Sequence, residues 1–196
     1  MLARPTQKLS VEAYLQAEMV ADVKHELIDG QVYARAGVSA NHERIRGNLL
    51  RKLGNHLENK PCEPFGLDMK VKVGTDFFYP DALVDCQFDD STPYFSDSPI
   101  IIVEVLSKAT RKADKIIKKL KYFNLPSLQE YLLIEQDYCE IEVFRRNPNW
   151  RSVVYTLGDT LKLESIDLTF TVQELYHRVN NEDMLDFLQR FKQNLE

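Results

Sequence analysis

The chain holds 196 residues, 44% of them hydrophobic and 28% charged, with a net charge of −5. That supplies the core of one domain, 1–196, and excludes disorder throughout. No apolar run nears the ~20 residues that span a bilayer. The acidic balance gives no global pull on nucleic acid, so any such contact must rest on a local basic patch.

In chain order, Ser10 predicts an N-cap for a short helix, "VEAYLQAEM". That stretch is already amphipathic and charged, unlike the apolar core of a secretory signal. "HELIDGQVYARAG" alternates around Asp29-Gly30, a hairpin signal. Ser39 or Asn41 caps the next segment, where Ile45, Leu49, Leu50, Leu53 and Leu57 recur at helical spacing. Strand candidates follow: "FGLDMKVKV", "YPDALVDCQF" and "PIIIVEVL". The last is continuous and β-branched, as in a strand buried on both faces.

Thr110 can cap a helix, "RKADKIIKKLKYFN", with Ala113, Ile116, Ile117, Leu120 and Phe123 as its expected apolar face. "LQEYLLIEQ", "EIEVFRR" and "WRSVVYTL" read as strands, the last two joined by a turn at Asn147-Pro148-Asn149. "TVQELYHRV" and "NEDMLDFLQRFKQ" read as helices. The order predicts a mixed α/β domain with a central sheet. Cys62, Cys86 and Cys139 are odd in number and far apart. They predict reduced thiols and a cytoplasmic protein, not a disulfide frame or a zinc site.

Two acids interrupt apolar strand candidates: Asp81 in "FFYPDALVD" and Glu104 in "PIIIVEVLS". If the two strands pair antiparallel, both side chains reach one spot. Two close carboxylates repel unless a cation lies between them, and Mg²⁺ with its oxygen ligands resolves the conflict. Either acid alone could instead open a strand or pair with a lysine. Asp114, Lys118 and Tyr122 drift along one flank of the following basic helix, which a short connection brings toward Glu104. The plain alternative there is a solvated basic face.

"YPD" followed by "IIVEVLSKATRKADKIIKKLKYFNLPSLQEYLLIE" resembles the Uma-type family of restriction endonucleases, within the PD-(D/E)XK nuclease superfamily. The resemblance extends upstream through "HELIDGQVYA" and "SANHERIRGNLLRKL", and downstream through "YTLGDTLKLESIDLTFTVQELY". It covers all but the first few residues and the final helix. It implies a restriction-endonuclease-like α/β fold: a central mixed sheet flanked by helices, with an N-terminal helix and β-hairpin. It implies Asp81 and Glu104 as metal ligands, with Mg²⁺ as cofactor and Mn²⁺ as substitute.

The superfamily's lysine, two residues after the second acid, is Leu106 here. The resemblance moves that role to Lys118, within Asp114-x-x-x-Lys118-x-x-x-Tyr122. Glu26 in "HELIDG" matches a further catalytic acid, or is a surface acid at a strand edge. His42 also matches a family position but is not taken as a ligand, since magnesium does not favour imidazole. Ser107 and Thr110 read as capping residues, not nucleophiles.

The expected activity is Mg²⁺-dependent hydrolysis of DNA by a homodimer that makes no use of a membrane. The basic helix and Arg44, Arg46, Arg51 and Lys52 would contact phosphates. The alternatives are a catalytically inactive nucleic-acid-binding module of the same fold and a protein-interaction domain.

Overall fold

The computed structural model describes residues 8–193 except 36, 67 and 148. Helix α1, Val11–Glu18, is capped by Ser10, whose Oγ accepts from the Ala13 amide at 3.2 Å. Strands β1, His25–Ile28, and β2, Gln31–Ala34, form the expected hairpin. Its two turn residues are left-handed, Asp29 at φ 52° and Gly30 at φ 82°. A side chain at Gly30 would also strike Lys8, whose Cβ lies 2.8 Å from the position of an added Cβ. Helix α2, Ala40–Leu57, starts at Ser39, and the spacing read from sequence places Ile45, Leu49, Leu53 and Leu57 in the core.

The segment read as one strand, "FGLDMKVKV", divides between two sheets. Strand β3, Glu63–Gly66, pairs with β6, Ala82–Asp85, while β4, Lys70–Val73, pairs with β5, Asp76–Phe78. Strand β7, Phe95–Ser96, follows, then β8, Pro99–Leu106; β9 is Glu130–Glu135, β10 Glu140–Arg145 and β11 Arg151–Thr156. The six-stranded sheet runs β11-β10-β9-β8-β6-β3, and the five-stranded sheet β2-β1-β5-β4-β7. Within the six-stranded sheet β8 and β9 are parallel, while β6 lies antiparallel to β8. Pro148, in the turn expected between β10 and β11, lies outside the described residues; the two strands pair antiparallel.

Alternation along β8 divides the core. Ile101, Val103 and Val105 pack with α2, while Ile102 and Leu106 pack with Tyr122, Leu125 and Leu128. Glu104 shares the parity of the second set. Each fully buried aliphatic side chain stabilises by about 1.5–3 kcal/mol, so these two layers dominate folding.

Beyond β11 the sequence reading missed a hairpin, β12 (Thr160–Leu163) with β13 (Leu168–Thr171). Of "TVQELYHRV" only α4, Val172–Leu175, is helical; α5, Glu182–Gln193, forms as expected.

Two expectations are corrected. Cys62 and Cys86 form a disulfide, and Cys139 alone is free. Pairing of β3 with β6 sets Glu63 opposite Asp85, which brings the next residues outward, Cys62 and Cys86, face to face. The basic helix also turns the other way. It runs 111–122: an opening turn, a π-helix Ala113–Lys118, and α3, Lys119–Tyr122. Ile116, Ile117 and Leu120 are exposed, whereas Asp114, Lys118 and Tyr122 are buried.

The π segment explains that face. In an α-helix, positions i, i+4 and i+8 drift steadily in one direction. A π turn holds more residues, so it rotates i+4 backwards and cancels the drift. Asp114, Lys118 and Tyr122 therefore line up toward the sheet. No described helix is long and apolar enough to cross a membrane.

Candidate active site

Asp81 and Glu104 come together because β6 and β8 are antiparallel neighbours, with Ala82 opposite Val103. One step outward, the Asp81 amide donates to the Val103 carbonyl at 3.0 Å. The Val105 amide then donates to Asp81 Oδ2 at 2.7 Å. Both acids line a cavity of about 210 Å³ together with Glu26, His42, Asp114 and Lys118. The four residues expected at the site, Glu26, Asp81, Glu104 and Lys118, thus share one pocket.

Lys118 is its hub. The ammonium lies 2.9 Å from Glu26 Oε1, 3.2 Å from Glu104 Oε1 and 3.2 Å from Asp114 Oδ1. The contact to Asp114 is an ion pair without hydrogen-bond geometry. Tyr122 donates to Glu104 Oε1 at 3.0 Å. Glu26 is buried, not a surface acid, because β1 lies between β2 and β5 in the five-stranded sheet and Glu26 accepts from the Tyr79 amide at 3.0 Å.

His42 and Arg35 complete the pocket. His42 Nε2 lies 3.2 Å from Asp81 Oδ2, and its Nδ1 has no hydrogen-bond partner among the described residues. Arg35 approaches Asp81 Oδ1 at 3.7 Å. Sequence reasoning set His42 aside and missed Arg35. A usable signal for His42 was its spacing from Ile45 and Leu49, which puts it on the inward face of α2. Ser107 and Thr110 hold each other: the Thr110 amide donates to Ser107 Oγ at 3.2 Å and the two hydroxyls lie 3.1 Å apart.

Glu26, Glu104 and Asp114 are three buried carboxylates on one buried ammonium, and Asp81, also buried, lies in the same pocket against His42 and Arg35. Burial raises Glu104 well above the ordinary carboxylate range; Lys118 opposes the rise, while Asp114, Asp81 and Glu26 add to it. Asp114 is raised too, by burial first. For Lys118, burial works against the charge, but Glu104, Glu26 and Asp114 outweigh it and lift its pKa. The ammonium therefore stays charged, and the acids carry the imbalance. An excess of carboxylate oxygens suits a hard divalent cation. Among the described residues no three acids, histidines or cysteines converge into a closed metal cage.

The expected phosphate contacts lie elsewhere. None of Arg44, Arg46, Arg51 and Lys52 lines this pocket. Arg46 is buried against Glu43, and Lys52 pairs with Glu174 at 2.9 Å. Arg44 and Arg51 line a separate groove with His177 and Arg178.

The family model for Uma2, described as "Putative restriction endonuclease", matches residues 11–173. The chain belongs to the Uma2 family. Among its relatives is the uncharacterized protein slr1290 of Synechocystis, 38% identical over 177 residues, covering 88% of this chain and 93% of that protein. A second Synechocystis protein, the uncharacterized sll1609, is 36% identical over 151 residues, covering 74% of this chain and 85% of that protein. Among solved structures, a "putative nuclease belonging to DUF820" from Anabaena variabilis superposes with a TM-score of 0.74 at 16% identity, over 86% of this chain and 97% of that one. The fold is restriction-endonuclease-like, and the coarse class that the Uma2 description gives the family is that of a nuclease.

Proposed function

We propose that this Uma2 protein is a Mg²⁺-dependent endonuclease that hydrolyses DNA phosphodiester bonds. The observation that carries the reading is the excess of buried carboxylates around Lys118 in an open pocket. Asp81 and Glu104 would hold the ion, Asp81 on the Oδ1 side that Arg35 approaches at 3.7 Å and Glu104 beside its contacts to Tyr122 and Lys118. When bound, Mg²⁺ supplies Lewis acidity toward phosphate and acidifies water.

This chain's own residues do the rest. The Val105 amide and His42 fix the Asp81 carboxylate, and Tyr122 and Lys118 fix Glu104. Lys118, anchored by Glu26 and Asp114, sets positive charge beside the place where a phosphate gains negative charge in the transition state. Arg35 lies within reach of the same phosphate. Arg44 and Arg51 offer backbone contacts, and exposed Ile116, Ile117 and Leu120 offer an apolar strip for the expected homodimer.

The test is cleavage of plasmid and linear DNA with Mg²⁺, Mn²⁺ or EDTA, with RNA of matched sequence alongside. Cleavage by wild type that needs the ion and vanishes in Asp81→Asn supports the reading. DNA binding without cleavage under all conditions would make the chain a binding module, and sedimentation decides the dimer.

A further inference from the structure

Arg35 lines the acid pocket and also lies over the Tyr79 ring, 5.4 Å from its centroid. Tyr79 in turn lines a second cavity, of about 340 Å³, that the catalytic reading does not use. Lys70, on β4, is 7% exposed and borders this cavity. Among the described residues no carboxylate lies within ion-pair distance of its ammonium. Its contacts are the Tyr79 hydroxyl at 3.4 Å and the rings of Tyr79 and Tyr94, at 5.2 and 6.0 Å.

Glu18 and Asp68 also line the cavity and attract Lys70 from a distance, but each is held by closer partners. Glu18 takes the His25 amide at 2.7 Å, the His25 ring at 3.2 Å and the Tyr79 hydroxyl at 3.1 Å. Asp68 pairs with Lys24 at 2.8 Å. Burial pushes the Lys70 ammonium below its usual pKa, unlike Lys118. A structural reading leaves Lys70 to the Tyr79 hydroxyl, the two rings and the longer-range attraction of Glu18 and Asp68. Cation–π attraction recovers only part of the cost of taking an ammonium from water. The arrangement therefore lacks an anion in direct contact with the Lys70 ammonium.

Two further features narrow the anion. The cavity falls in the size range of small-ligand sites. Tyr94 stands at its rim, 56% exposed, as a flat face on which a planar group can stack. A cation inside and an aromatic face outside match a phosphate and a base.

We propose that this cavity binds one unstacked nucleotide of the substrate strand, with its phosphate against Lys70 and its base on Tyr94. The identity of the strand rests on the nuclease reading, but the pocket is tested without it. Calorimetry on the full chain in EDTA, with thymidine 5′-monophosphate, a thymidine tetranucleotide and inorganic phosphate as probes, measures the site with no metal and no cleavage.

Both nucleotides should bind more tightly than inorganic phosphate, the tetranucleotide most. Tyr94→Ala, a change at an exposed position that folding tolerates, should weaken nucleotide binding roughly tenfold or more. Lys70→Met should do the same, and Glu104→Gln should leave it unchanged. Tight binding of the mononucleotide alone would make this a site for free nucleotides and overturn its place in strand recognition. No binding by wild type, or equal binding by wild type and Tyr94→Ala, would overturn the subsite. Binding that behaves as expected in a protein that never cuts DNA would instead retire the nuclease reading and keep the pocket.

Discussion

Glu130 and Glu104 sit on neighbouring parallel strands, β9 and β8, and are about equally buried. Their surroundings differ. Glu130 accepts from Arg145 Nε at 3.2 Å, the Ser165 hydroxyl at 2.6 Å and the Ser165 and Glu164 amides at 3.0 and 3.2 Å. One acid meets one guanidinium and three further donors. Glu104 shares a single ammonium with Glu26 and Asp114, and Asp81 stands in the same pocket. A satisfied buried carboxylate is a structural tie. A group of acids that outnumbers its cation leaves room for another cation.

The largest effect expected from this contrast is at Glu104. Glu104→Gln keeps the shape but removes the charge proposed to hold the metal, and DNA cleavage should fall by on the order of 10³ or more. Without metal, its melting temperature should hold or rise, because a repulsion is relieved. Wild-type cleavage by this variant would erase the distinction between the two acids.

Glu130→Ala should do the reverse. It takes one partner from Arg145, which keeps Glu164, Tyr155 and the Lys162 carbonyl, and leaves two backbone amides unpaired, at a cost of about 2–4 kcal/mol in urea unfolding. Specific cleavage by the folded protein should be unchanged. A loss under about 1 kcal/mol would show that Glu130 is not the tie its contacts describe.

Lys118→Met sharpens the contrast from the cation's side. Cleavage should drop roughly a hundredfold, the scale for one preorganised electrostatic contact. Three acids then face each other without their ammonium, so the variant should melt lower than wild type in EDTA and regain more stability on adding Mn²⁺. Lys121→Met is the control: Lys121 pairs with Asp29 and Asp76, both at 2.7 Å, away from the pocket. It should cut at the wild-type rate. Equal Mn²⁺ gains in Lys118→Met and wild type would mean that Lys118 and the metal do not share the acids.

Much of this site was legible because acids inside apolar runs are conspicuous and antiparallel pairing is the simplest way to join them. Lys118 was legible only through the family resemblance, in the pattern Asp114-x-x-x-Lys118-x-x-x-Tyr122; charge and spacing by themselves fit a solvated basic face equally well. The facing of their helix was not. A search for apolar periodicity assumes that the apolar stripe faces inward, and the π turn with its buried ion pairs reverses that for Ile116, Ile117 and Leu120. The disulfide was hidden because Cys62 and Cys86 meet only through the β3–β6 register. The β12–β13 hairpin did leave a signal, since Leu161 and Leu163 alternate with polar residues, as do Leu168 and Phe170. Lys70 left none: a lysine in "KVKV" shows nothing of which of its neighbours will be committed elsewhere.

The smallest effect extends the contrast to the surface, at Glu174. It is another satisfied acid, but half its side chain is in water. It closes the capping box of α4, accepting from the Thr171 amide at 2.6 Å and hydroxyl at 2.9 Å, and from Lys52. The Thr171 amide first, then Lys52, holds its pKa down to about 2 from 4.5. A carboxyl with a depressed folded-state pKa contributes stability that is present above the unfolded value and lost as pH falls through the folded one. Glu174→Gln should therefore cost about 0.5–1 kcal/mol at neutral pH, the range of a helix cap with a solvent-screened partner. The gap to wild type should narrow between about pH 4.5 and pH 2 and then close. Urea midpoints of the two proteins across that window measure it. A gap that stays constant down to pH 2 would mean that the Glu174 side chain acts through its shape and not its charge, which would end the likeness to Glu130.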